Sequence, residues 1–169
     1  RDASEIVMAT REKVARLLGI PDAEAVIFTK NATESINVVL KGWLRPGDCV
    51  IFSGMEHNAV VRPMERLKLL GVEAEVIPCN SSGLLDLEVF QEKVSARPRL
   101  AVLNHASNVN GGIQPVSRVA ELCSDAGVPL LLDAAQTAGV QPLSAQELNL
   151  GMLACSGHKG LLGPSGMGV

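Results

Sequence analysis

The run Val128-Pro129-Leu130-Leu131-Leu132 is apolar without interruption. A strand that lacks in/out alternation is covered on both faces, which happens where helices flank a parallel sheet. Similar short candidates fall at Ala25–Phe28, Cys49–Ser53, Glu73–Ile77, Leu100–Asn104, Pro129–Asp133 and Met152–Ser156. Helical spacing fills most intervals: Asp2–Leu18 closes at Gly19, Arg62–Leu70 stops at Gly71, and Pro115 and Gly127 bracket another helix. The alternation predicts an α/β fold of three layers, α-β-α, around a mostly parallel sheet. In such sheets ligands gather at the carboxyl ends of the strands, so the residues just past each apolar run are the ones to inspect.

Length and composition narrow the function classes. At 169 residues the chain suits one domain. Hydrophobic residues make up 47% and charged ones 20%, a globular balance. A formal net charge of −3, 2% aromatics and no tyrosine offer nucleic acid neither a basic footprint nor stacking platforms. Apolar runs are far shorter than a membrane span and the start shows no signal peptide, so the expectation is a cytoplasmic protein with no membrane partner. Cys49, Cys79, Cys123 and Cys155 are scattered without metal or redox spacing and read as free thiols. Both ends look cut: Arg1 opens inside a helical pattern without a cap, and Gly166–Val169 starts what reads as another strand.

Five places past the strands carry chemistry. Ser156-Gly157-His158-Lys159-Gly160 sets a lysine among small and apolar neighbours, where partial desolvation would free its amine to attack a carbonyl. It is not a P-loop, since His158 precedes Lys159 and no Ser or Thr follows it. Asp133 ends an apolar strand, with Gln136 three residues on. That carboxylate either caps the next segment or holds a ring nitrogen protonated. Asn31 and Glu34 have the form of a capping box, whose free N–H groups together with the Thr33 hydroxyl suit a phosphate. His57 follows the strand Cys49–Ser53 and could stack on an aromatic ring, or be structural. Asn108 adds a neutral hydrogen-bonding group after Leu100–Asn104, and nearby His105 reads as structural. A hydrolase built on Cys155 and His158 has no evident orienting acid.

These residues stand in five motifs: Asn31-Ala32-Thr33-Glu34-Ser35-Ile36-Asn37, Glu56-His57-Asn58-Ala59, Ser107-Asn108-Val109-Asn110-Gly111, Asp133-Ala134-Ala135-Gln136, and Ser156-Gly157-His158-Lys159 with Gly163-Pro164. In that order the sequence resembles the class V aminotransferase family of pyridoxal-phosphate (PLP) enzymes, and within it the cysteine desulfurases and selenocysteine lyases. The resemblance implies that residues 1–169 are the central part of the PLP-binding large domain, with an N-terminal segment and a C-terminal small domain outside it. It implies catalytic roles for Lys159, as the Schiff-base lysine, for Asp133, as the partner of the pyridine nitrogen, and for His57, as the stacking residue. Gln136 and Asn108 would reach the ring hydroxyl, while Ala32, Thr33, Ser156 and His158 would form the phosphate cup. The implied function is conversion of cysteine to alanine with enzyme-bound persulfide sulfur, in a homodimer that hands sulfur to an acceptor protein. An aminotransferase, another PLP lyase, or a non-catalytic PLP-binding or dimerisation module are the alternatives. The chain alone would be inactive, because the family's carboxylate-binding arginine and persulfide cysteine fall beyond Val169.

Overall fold

In the computed structural model, which describes residues 2–169, five strands form one parallel sheet. They are β1 (Cys49–Ser53), β2 (Glu73–Ile77), β3 (Leu100–Asn104), β4 (Leu130–Asp133) and β5 (Met152–Ala154), in the order β2-β1-β3-β4-β5. Helices α1 (Ala3–Leu18), α2 (Ala32–Trp43), α3 (Asn58–Lys68), α4 (Leu87–Ser95) and α5 (Val116–Ala126) complete the fold.

The three layers follow from the two faces of each apolar strand. Val50, Phe52, Leu100, Val102 and Leu131 point toward Ile36 and Leu40 of α2 and Val60, Met64 and Leu67 of α3. Their neighbours Ile51, Ala101, Leu103, Leu130 and Leu132 point the other way, onto Phe90 and Val94 of α4 and Val119 and Cys123 of α5. Period-2 side-chain direction thus splits one continuous apolar run between two cores. A third cluster docks Val14, Ala15 and Leu18 of α1 against Ala134, Ala138, Cys155 and Val169.

Local chemistry sets the helix ends. Gly19 and Gly127 take the left-handed conformation at the ends of α1 and α5. The start of α1 differs from the sequence expectation: Asp2 caps it, accepting from the Ser4 N–H, whereas Arg1 lies outside the described residues. Pro63 inside α3 cannot bond the Ala59 carbonyl one turn back. The Asn37 amide of α2 donates to that carbonyl instead (3.4 Å).

The expected strand Ala25–Phe28 is a correction. Residues Ala23–Ala25 form a 3-10 turn, and the extended stretch after it makes a single bridge, from Thr29 to Gly168. Gly168 bridges Ser156 as well, so Gly168 and Val169 lie as a short antiparallel rung between the Thr29 stretch and the end of β5. One bridge is too little pairing to make the preceding apolar residues a strand. The rung is tight: a Cβ on Gly168 would fall on the backbone of Asn31.

Candidate functional site

All five parallel strands end on the same edge, and the motif loops leave from there. Register pairs Asn104 with Asp133 and Asp133 with Ala154, which sets the ends of β3, β4 and β5 side by side. A cavity opens above them. It is lined by Ala32, Thr33, His57, Asn104, Asn108, Asp133, Gln136, Ser156 and Lys159 among others. Eight of the nine residues expected at the site are brought together there; His158 is the exception, and it is exposed outside the lining.

Asp133 is 4% exposed. Its Oδ1 accepts from the Ala135 N–H at 2.9 Å, so the capping bond and the floor position coexist. Burial pushes its carboxyl above the ordinary range, while the Ala135 N–H and the charges of His57 and Lys159 pull it back. Lys159 is exposed, which overturns the expected desolvation: Leu162 is 91% exposed and the glycines around it leave the lysine open to solvent. What those glycines supply is close approach. A Cβ on Gly160 would fall on the Ala138 carbonyl oxygen, so only glycine lets the Lys159 loop lie on the turn that follows Asp133.

The opposite wall is the start of two helices. At α2 the Asn31 Oδ1 accepts from the Glu34 N–H (2.9 Å), and Glu34 reaches back to the Lys30 N–H (2.7 Å), one residue earlier than a standard capping box. The remaining first-turn N–H groups, including that of Thr33, are left for a ligand. At α3 the cap is His57, whose Nδ1 accepts from the Ala59 N–H at 3.1 Å. The bond fixes the ring at the cavity rim. His105, by contrast, is buried against the Thr137 hydroxyl (2.9 Å), and burial lowers its pKa, as suits a structural histidine.

Sequence reasoning missed two groups. Asn104 lines the cavity, and a polar residue closing an apolar strand, as Asp133 does, was the available signal. Glu56 lies beneath: its Oε1 accepts from the Ser53 hydroxyl (2.6 Å) and the Asn104 N–H (2.7 Å). A much larger cavity, about 460 Å³, lies between Ile20–Thr29, α2 and β5, but no acid, base or thiol lines it.

Comparison with known proteins places this geometry. Residues 1–169 match the family described as aminotransferase class-V. The chain belongs to that family. A cysteine desulfurase of Escherichia coli strain K12, CsdA, is 37% identical over 166 residues, covering 95% of this chain and 41% of the relative. A probable mitochondrial cysteine desulfurase of Dictyostelium discoideum is 31% identical over 171 residues, covering 99% of this chain and 38% of the relative. The apo structure of a cysteine desulfurase from Thermococcus onnurineus NA1 superposes with a TM-score of 0.91 at 34% identity, over 98% of this chain and 42% of that one. This class-V aminotransferase-family chain therefore spans about two fifths of the length of these relatives. None of its described helices is long and apolar enough to cross a membrane.

Proposed function

We propose that the protein carrying this chain is a PLP-dependent cysteine desulfurase that takes the sulfur of cysteine and leaves alanine. The observation that carries the reading is the meeting of Asp133, Lys159 and His57 around one cavity, under the first turn of α2. The donor set fits PLP: a buried carboxylate for the ring nitrogen, an open amine for the aldehyde, and helix N–H groups for the phosphate. Bound PLP supplies an electron sink for the electrons left on the amino acid's α-carbon.

The chain's own groups do the rest. Asp133 holds a proton at the ring nitrogen, and its burial among apolar strand residues keeps water from competing for that bond. Lys159, exposed in the same cavity, would hold the cofactor through its amine and would carry protons at the open side. His57 lies against the ring, oriented by its bond to Ala59. Thr33, Ala32 and Ser156 receive the phosphate, with His158 reaching it from the exposed side of its loop. Gln136 and Asn108 reach the ring hydroxyl, and Asn108, on the loop after β3, also meets the substrate carboxylate. A homodimer, a protein acceptor for the sulfur and a cytoplasmic setting complete the proposal; the names of the relatives favour the desulfurase branch.

Product analysis decides it. With cysteine and a reductant, the full-length protein should release sulfide and alanine in equal amounts. Consumption of cysteine together with a keto acid, without sulfide, would assign it to the aminotransferase branch and overturn the proposal.

A further inference from the structure

Glu56 belongs to a motif that the proposed chemistry leaves unused. Its neighbours in sequence are divided: Ser53 ends β1, and His57 caps α3 at the cavity rim. The ladder between β1 and β3 ends at the pair Phe52–Val102. Beyond it the two strands part, and the N–H of Asn104 would lack a partner. Glu56 Oε1 takes that N–H (2.7 Å) together with the Ser53 hydroxyl (2.6 Å), while the Asn104 amide donates to the Met55 carbonyl (3.2 Å). One carboxyl oxygen thus joins the ends of two strands and the turn that aims His57.

The other oxygen, Oε2, is fully buried and has no hydrogen-bond partner. An ionised carboxylate with a bare buried oxygen is far more costly there than the neutral acid. We propose that Glu56 is a positioning residue whose carboxyl clamps β1 to β3 beneath the cavity and so fixes His57 and Asn104. The inference rests on the proposed function only in naming PLP as what those groups face.

The titration fits the geometry. Burial raises the Glu56 carboxyl to about 7, opposed by its bonds from Ser53 and Asn104 and reinforced by the charge of Asp133. The ionisable groups around it are Asp133 at the end of β4 and Cys79 after β2, whose thiol is pushed up by burial first and by Glu56 in smaller part. His57 and Lys159 line the same cavity as Asp133. Ionising Glu56 adds a second negative charge beneath the cavity that Asp133 lines.

Glu56→Gln keeps the Oε1 acceptor and the shape of the neutral acid but cannot ionise; Glu56→Ala removes the clamp. In the full-length protein the visible absorbance of bound PLP should show an inflection near pH 7 in the wild type and lose it in E56Q, whose PLP affinity stays near wild type. E56A should bind PLP at least tenfold more weakly. A second readout needs no cofactor. Because the folded-state pKa is raised, Glu56 stabilises most at or below its ordinary 4.5, and that advantage is lost as pH rises to about 7. The melting temperature of the apo wild type should therefore fall relative to apo E56Q between those values and run parallel above them. An E56Q spectrum that keeps the inflection, wild-type affinity in E56A, or a melting difference that ignores pH would overturn the role of Glu56. Failure of the wild type to bind PLP would instead overturn the proposed function, and the apo melting comparison would still judge Glu56.

Discussion

Asp133 illustrates at the residue scale how a functional group is kept at a cost. Its carboxyl is buried, and burial raises its pKa by disfavouring the ionised form. The stability it contributes is full below the ordinary carboxylate pKa of about 4 and is lost as pH rises through the raised value. Asp133→Asn, which keeps the acceptor for the Ala135 N–H, should therefore melt higher than the wild type at neutral pH, with the gap closing in acid. Asp133→Ala should still bind PLP yet lose most turnover; wild-type turnover would leave Asp133 a structural cap. The thiols give a second residue-scale expectation. Burial drives Cys123 up to about 12 and Cys155 up to about 11, with Asp133 adding to the latter. Iodoacetamide at pH 8 should leave both unmodified in the folded protein and label both in urea, because the thiolate is the reacting form. Rapid labelling of native Cys155 would return it to the list of nucleophiles.

At the scale of elements, β1 and β3 stand where their apolar runs predict, because burial of a strand on both faces leaves little choice of bounds, and the edge strand β2 also keeps its expected bounds. The capping glycines and the Asn31 box were also legible, since a left-handed residue or an Asx cap has few chemical solutions. The stretch Ala25–Phe28 was not, because its apolar pattern reports burial, and strand pairing depends on a neighbour that lies far away in sequence, at Gly168. Lys159 misled in a similar way: small neighbours in sequence predict crowding, but here they make room. The Asn31 cap links element to site. Asn31→Ala should cost about 1 kcal/mol in urea unfolding and weaken PLP binding, because the first turn of α2 would lose its fixed direction. Unchanged affinity for PLP would remove that turn from the phosphate site.

Across the whole molecule, the all-parallel order β2-β1-β3-β4-β5 gathers at one edge residues from 32 to 159 that have no local reason to meet. That convergence was foreseeable from the strand ends alone, Asn104 included, whereas Glu56 needed the sheet register, which no local pattern displays. The same convergence singles out one lysine. Of the six lysines, Lys13, Lys30, Lys41, Lys68, Lys93 and Lys159, Lys159 is the one that lines the cavity above Asp133. Borohydride reduction of the PLP-loaded full-length protein, followed by peptide mapping, should find the pyridoxyl group on Lys159. A pyridoxyl group on Lys41, Lys68, Lys93 or either remaining lysine, Lys13 or Lys30, with Lys159 unmodified would contradict the account.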